Sequence, residues 1–345
     1  MQKGLVGLGV IGCGNIGARM IEAFRDVKGG RLVGIADVNV DRAREIADRY
    51  GAKVATSDYQ ELLERDDIDA ILVATPNFLH AKNAIDAAKA GKHVLVQKPM
   101  ALSIEDADQM IFAARENNVI LMSCFILRFT PSFAKAKELI DSGVIGKPLV
   151  IRTNFSHWGI YKAYKPASDW FYEKSKSGGG PLLDLGVHHF DLLRWITGNE
   201  VEEVMAQTAT IDNPIEVEDN AFVNLKFSNG IRAQLFLSFT TANTSQAIEV
   251  YGTDGTIIAG PAGAIPVPLR LYTVAGNQKE AKGFVEVPVP NENSFTKAEQ
   301  HFVDCILEGK EPMTTGIDGK KTIEIIQAAY RSAEHGKIVK LDPCH

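Results

Sequence analysis

The chain has 345 residues, enough for about two domains with sizeable cores, and its 45% hydrophobic and 23% charged content is ordinary for a soluble globular protein. It carries 43 acidic against 37 basic residues, net −6, with no basic run or RNA-binding signature, so neither nucleic acid nor an anionic membrane is an expected partner. Cys13, Cys124, Cys305 and Cys344 show no CxxC spacing, which points to reduced thiols in a cytoplasmic protein, and no apolar run approaches the ~20 residues of a membrane span.

The N-terminal MQKGLVGLGVIG lacks the charged lead and cleavage site of a signal peptide. Its run Leu5–Ile11 reads instead as a strand leading into Gly12-Cys13-Gly14-Asn15-Ile16-Gly17, with a helical pattern through Phe24. In such a G-x-G-x-x-G turn the first glycine permits the bend. The second lets a pyrophosphate approach the backbone, and the third allows close packing of helix on strand. A second strand, Arg31–Ala36, ends in Asp37, twenty residues after Gly17, where a ribose-binding acid belongs. A carboxylate there accepts from the adenosine 2′-OH and repels a 2′-phosphate, which favours NAD over NADP, although Arg42 lies close enough to leave dual use open.

Strands at Lys53–Ala55, Ala70–Ala74, His93–Gln97 and Val119–Cys124 alternate with helical stretches near 59–65, 79–90 and 103–117. The pattern predicts a doubly wound parallel sheet of about six strands, with residues 1–124 forming the dinucleotide-binding domain. Thr75, Asn77, Gln97 and Lys98 follow strands directly, at the carboxyl edge where open α/β sheets bind ligands. Lys98, pinned before Pro99 near a nicotinamide cation, has its ammonium disfavoured and is a candidate to steady a substrate oxygen; alternatively it is a solvated strand-end lysine.

Residues 125–345 form a second, α+β domain. A helix from Pro131 to Ser142 precedes strand Leu149–Phe155, and an aromatic segment follows, holding His157, Tyr161, Lys162 and Trp170. Aromatic faces with polar tips suit a polyhydroxylated substrate, and these four with Arg128 are candidate substrate contacts; packing within the domain or at a subunit interface is the competing role. In GGGPLLDLGVHHFD a helix is expected from about Leu185, which puts Asp184 and His188 one turn apart on one face. A carboxylate beside an imidazole suits general acid–base work; the alternative is that Asp184 caps the helix and His188 is a core histidine. Adjacent His188 and His189 point different ways on a helix, so no metal is expected.

Strand-like runs at Val201–Ile211, Ala221–Phe227, Ile231–Thr240, Ala247–Tyr251 and Thr256–Ala259, with a turn at Ser228-Asn229-Gly230, predict an open, largely antiparallel sheet. Exposed apolar positions such as Phe236 favour oligomerisation through its uncovered face. Helical stretches at Ser294–Glu308 and Ile317–His335 close the chain.

Together GCGNIG, Asp37, ATPNFLH, QKP and GGGPLLDLGVHHFD, with LRFTPSFAKAKELIDSGVIGKP and HFVDCILEGKEP, resemble the Gfo/Idh/MocA family over nearly the whole chain. The resemblance implies a Rossmann domain, an α+β domain joined into dimers or tetramers through its sheet, and NAD(P)-dependent chemistry on sugars or polyols. It adds His80 to the candidate cofactor contacts Gly12, Gly14, Asn15, Ile16, Gly17, Asp37, Thr75, Asn77, Gln97 and Lys98. The family's E-K-P lysine matches Lys98, and its D-x-x-x-H pair matches Asp184 and His188. One departure is Gln97 where the family places glutamate, which takes a negative neighbour from Lys98. The expected activity is that of a dehydrogenase on a hydroxyl or keto carbon of a sugar, inositol or derivative. Its rivals are an oxidoreductase that recycles a bound cofactor and a non-catalytic NAD sensor.

Overall fold

A computed structural model of the chain describes residues 4–159, 169–242, 244–261, 267–274 and 283–342. Two compact units emerge, the first made of Met1–Ile126, Ser175–Gly178 and Asn293–Ile323, the second of Leu127–Lys174, Gly179–Glu292 and Glu324–His345. The break at Ile126/Leu127 lies two residues beyond the expected boundary. Placing everything after residue 124 in one domain misses the return of residues 293–323.

The first unit is built on six parallel strands, β1 (Val6–Ile11), β2 (Gly30–Ala36), β3 (Val54–Thr56), β4 (Ala70–Val73), β5 (His93–Val96) and β6 (Leu121–Ser123), in the order β3-β2-β1-β4-β5-β6. Every residue of β1 and β4 is buried, as strands covered on both faces by helices require. Register aligns Ile11 with Ala36 on one side and Val73 on the other, and Val73 with Val96. Gly12, Asp37, Ala74 and Gln97 therefore leave the sheet at one edge, where strand order reverses between β1 and β4.

The connecting helices follow local chemistry. Helix α1 (Asn15–Phe24) starts at the glycine turn, and α2 (Val40–Tyr50) is capped by Asn39, which accepts the Arg42 N–H. The third and fourth, α3 (Gln60–Leu63) and α4 (His80–Lys89), precede α5 (Ile104–Glu116), which is capped by Ser103. Residues 293–323 return because the next-to-last helix of the chain, Ser294–Glu308, presents the buried stripe Ala298, Phe302, Val303 and Ile306. It is pinned to α1 by a Thr296 hydroxyl donating to Ala23 O (3.1 Å) and by Arg19 lying over the Phe295 ring.

The second unit opens with α6 (Pro131–Asp141) and β7 (Pro148–Ser156), continues through α7 (Lys174–Ser177, of which Ser175–Ser177 belong to the first unit), and then α8 (Pro181–Asp184) and α9 (Gly186–Thr197). Strands β8 (Val201–Ala209), β9 (Asn220–Phe227), β10 (Arg232–Ser238), β11 (Ser245–Gly252), β12 (Gly255–Ala259), β13 (Arg270–Thr273), β14 (Val285–Glu286) and β15 (Val339–Lys340) join β7 in a nine-stranded sheet, order β14-β13-β12-β11-β7-β10-β9-β8-β15. All its pairings are antiparallel except β7 with β10. Ala221, Val223, Leu225 and Phe227 alternate inward along β9, and α8 and α9 contribute Leu182, Leu183, Val187 and Phe190 to the core. Phe236 is half-buried rather than exposed, because its ring stacks on Phe222 directly across the strand pair, centroids 5.1 Å apart.

His189 stands fully buried under this sheet. The Thr153 hydroxyl donates to Ala247 O (2.8 Å), so its oxygen accepts from His189 Nδ1, and Nε2 is left to accept from Gln246 Nε2 (3.2 Å). Burial drives this imidazole from 6.5 down to about 3. The unfolded chain therefore binds the proton first as pH falls below 6.5, and stability is lost down to about 3. At about 1.4 kcal/mol per pH unit, His189 removes about 2 kcal/mol by about pH 5. Urea unfolding across this window is expected to show that slope, flattened in His189→Gln; equal slopes in the two proteins would refute it.

Candidate active site

The glycine turn carries the geometry of a dinucleotide cradle. Gly12 has φ +91°, and a Cβ there would lie 2.7 Å from Ala74 O. A Cβ on Gly17 would lie 2.2 Å from Gly12 O, so the first turn of α1 rests on the turn's own backbone. At Gly14 a Cβ would meet nothing within 4 Å, which leaves room for a pyrophosphate. Gly14 is also the N-cap and places no side chain on the first N–H groups of α1, which begins with exposed Asn15 and half-buried Ile16.

Asp37 is fixed beside this turn. Its Oδ2 accepts the Cys13 N–H (2.8 Å) and its Oδ1 the Asn39 N–H (3.0 Å), so the carboxylate ties the turn after β1 to the turn after β2. Burial, with Asp37 next in effect, pushes the Cys13 thiol up to about 12, so no thiolate nucleophile stands in the cradle. The residues present fit a bound NAD.

The turns after β4 and β5 are stapled together. Buried His80 has Nδ1 2.7 Å from Pro99 O and Nε2 2.8 Å from Thr75 O. A carbonyl only accepts; burial lowers the affinity of this imidazole for a second proton, and the Pro99 and Thr75 carbonyls oppose that effect. The Thr75 hydroxyl donates to Asn83 Oδ1 (3.1 Å) and Asn77 Nδ2 to Ser177 O (2.9 Å). Thr75, Asn77 and His80 thus shape the edge through side-chain bonds of their own.

Lys98 is half-buried and precedes a cis peptide to Pro99. Gln97 is buried: its Oε1 accepts the Lys98 N–H (3.2 Å), and its amide turns inward to the sulfurs of Met20 and Cys124. A neutral amide suits that sulfur-lined interior better than the family's carboxylate. A buried acid stands in the same unit nonetheless. Glu299 is 1% exposed on the helix Ser294–Glu308.

In the second unit the helix begins at Pro181, four residues earlier than expected, with proline at its first position. Leu185, in right-handed helical backbone (φ −94°, ψ −40°), joins α8 to α9. Asp184 is thus the last residue of α8 rather than a cap of α9, and half-buried, while His188 is buried one turn on with its ring 6.3 Å from Phe155. Three residues further, Asp191 is fully buried and bound twice by Arg128, Nε to Oδ2 at 2.9 Å and Nη2 to Oδ1 at 2.5 Å. Arg128 is therefore committed to the core, where losing either partner costs about 3–5 kcal/mol.

His157 is 8% exposed, accepts the Gly159 N–H on Nδ1 (2.8 Å) and stacks on Phe239. Trp170 is half-buried in a tight turn, stacked on Phe171. Tyr161 and Lys162 lie outside the described residues. Among the described residues no group of three or more His, Cys, Asp or Glu could hold a metal, and no helix is long and apolar enough to cross a membrane.

Sequence patterning missed Asp191 and Glu299 as buried acids. Each falls on the apolar side of a helix, and that position is the signal: a charge there needs a partner or a proton. Asp191 has its partner. Both Glu299 carboxyl oxygens are buried without a hydrogen-bond partner among the described residues, and burial raises the group well above 4.5. A folded-state affinity raised in this way lowers stability as pH rises beyond 4.5, because the unfolded chain then loses its proton first. Glu299→Met is expected to gain about 1–3 kcal/mol in acid, and more toward neutral pH, by urea unfolding. A variant less stable than the parent at neutral pH would show that the carboxyl is satisfied.

Residues 6–125 match the family described as "Oxidoreductase family, NAD-binding Rossmann fold", and residues 133–258 match the "GFO/IDH/MocA C-terminal domain". The chain is 33% identical over 340 residues to myo-inositol 2-dehydrogenase of Thermotoga maritima, covering 97% of this chain and 98% of that one. Among solved structures it is similar to levoglucosan dehydrogenase in complex with NADH, with TM-score 0.89, 28% identity, and coverage of 98% of this chain and 99% of that one. It is also similar to aldose-aldose oxidoreductase from Caulobacter crescentus complexed with glycerol, with TM-score 0.88, 27% identity, and coverage of 98% and 100%. The chain belongs to the Gfo/Idh/MocA family of oxidoreductases, and its N-terminal part is an NAD-binding Rossmann fold.

Proposed function

We propose that the protein is an NAD-dependent dehydrogenase that oxidises a hydroxyl-bearing carbon of a sugar, inositol or close derivative, or reduces the matching ketone. The carboxyl edge of the parallel sheet carries this assignment, because the glycine cradle, Asp37 and Lys98 all leave the sheet there, after β1, β2 and β5. Gly12, Gly14 and Gly17 with the N-terminus of α1 would hold the pyrophosphate, and Asp37 the adenosine ribose. When bound, the nicotinamide supplies the hydride acceptor or donor. His188, oriented by Asp184, takes the hydroxyl proton during oxidation and returns it during reduction, while Lys98 steadies the charge that develops on the oxygen.

Substrate class rests on the named activities of the relatives, myo-inositol and levoglucosan oxidation among them. The aldose-aldose oxidoreductase favours a second mode, in which bound nucleotide is never released and one sugar is oxidised as another is reduced. Retention of NAD through purification separates the two modes. Cys13, Cys124 and Cys305 are free and buried, which supports a reducing, cytoplasmic compartment. The outward row Phe222, Phe236, Asn154 and Ala247, continuous across four strands, supports a homodimer or homotetramer formed through the sheet.

Nicotinamide absorbance, followed with NAD and then NADP against a panel of inositols and sugars, tests the activity. His188→Ala is expected to lower kcat about 10²–10⁴-fold with NAD binding intact, and an unchanged kcat would remove His188 from proton transfer. Asp37→Ala is expected to lower kcat/KM for NAD about 10–100-fold, the value of a charge-assisted hydrogen bond, and to narrow the preference over NADP. An unaltered ratio between the cofactors would sink Asp37 as the discriminating residue.

A further inference from the structure

Two residues outside the proposed catalytic groups, Glu218 and Tyr330, converge on the glycine turn that precedes α8 and α9, the helices that carry Asp184 and His188. The Glu218 Oε1 atom accepts from Gly180 N–H (3.1 Å), from Leu182 N–H (3.0 Å) and from the Tyr330 hydroxyl (2.9 Å). The approach is close enough to dictate sequence. A Cβ on Gly180 would stand 1.8 Å from Glu218 O, and one on Gly179 would stand 1.9 Å from the Tyr330 hydroxyl oxygen. Gly180 and Gly179 of GGGPLL are thus demanded by a backbone carbonyl 38 residues and a phenol about 150 residues away in the chain.

The loop that delivers Glu218 is itself preorganised. Asp219 accepts the N–H groups of Ile211, Asp212 and Asn213, and Glu216 Oε2 accepts the Lys174 N–H (3.1 Å). Enclosure raises the Glu218 carboxyl above its ordinary range, and the Gly180, Tyr330 and Leu182 donors pull it back. Leu183 and Asp184 in turn donate their N–H groups to Gly180 O, so any shift of Gly180 is passed to Asp184 and through Leu185 to His188.

We infer that Glu218, braced by Tyr330, is a positioning residue that sets the register of the turn bearing Asp184 and His188. It touches no reacting atom and acts through that pair, so the inference rests on the function proposed above for its catalytic consequence alone.

Two readouts separate its failure from failure of that function. Amide hydrogen exchange in the full-length protein is expected to speed up roughly 10-fold or more at Gly180–His188 in Glu218→Ala, with β1 and β4 of the first unit unchanged. Glu218→Gln, which keeps an acceptor oxygen, should stay within about 3-fold of the parent, and Tyr330→Phe should fall between. With NAD and whichever of myo-inositol, levoglucosan or D-glucose the parent turns over, Glu218→Ala should lower kcat roughly 10–100-fold with little change in KM. In a His188→Ala background it should add almost no further loss, because both changes disable one device. Unchanged exchange at Gly180–His188, or full additivity with His188→Ala, would overturn the inference. Absence of turnover by the parent would overturn the proposed activity, leaving the exchange result to decide positioning by itself.

Discussion

Backbone brought closer than a β-carbon permits is the constraint on which both units depend. In the first, Gly12 lies against Ala74 and Gly17 against Gly12 O; in the second, Gly180 lies against Glu218 and Gly179 against Tyr330. Each contact has the same physical outcome. A helix is made to start at one place, with its first N–H groups aimed at a chosen acceptor. For α1, Gly14 leaves those groups open to an anion, whereas at Gly180 and Leu182 they are already taken by a carboxylate. One glycine-rich turn is therefore built to receive a ligand and the other to hold a helix still.

The difference explains how much of each was legible in the sequence. Strands of a doubly wound sheet are short apolar runs ended by Gly, Asp or Thr-Pro, and the signals for cradle and ribose acid lie within one βαβ unit, so local pattern suffices. GGGPLLDLGVHHFD announces a helix but not why Gly179 and Gly180 precede it, because the reason lies at Glu218 and Tyr330. The return of residues 293–323 to the first unit is hidden for the same cause: the stripe Phe302, Val303 and Ile306 is plain, yet nothing local says that α1 is its partner. Strands β13 to β15 escaped because strands of two to four residues carry too few alternations to read.

His188 and His189 show how far identity alone falls short. The two are adjacent, both buried and both on α9, yet a helix turns successive side chains about 100° apart. His189 points under the sheet, where Thr153 and Gln246 fix a neutral tautomer. His188 lies one turn beyond Asp184, beside Phe155. His189 thus has the surroundings of a core histidine.

Acids in this chain are sorted by what they accept. Asp37, Glu218 and Asp219 each receive backbone N–H groups, Asp191 receives a guanidinium, and Glu299 receives nothing among the described residues. A carboxylate that accepts two or three donors from separate segments fixes those segments relative to one another without a covalent link. Asp37 does this for two turns of the cofactor edge, and Glu218 for the glycine turn and the end of the chain. The sites where function is proposed are thus held in part by acids that bridge backbone segments. Gln97 fits this division of labour: with its oxygen on the Lys98 N–H and its amide nitrogen turned to sulfur, it occupies a position where a neutral amide is stable and a carboxylate would be costly.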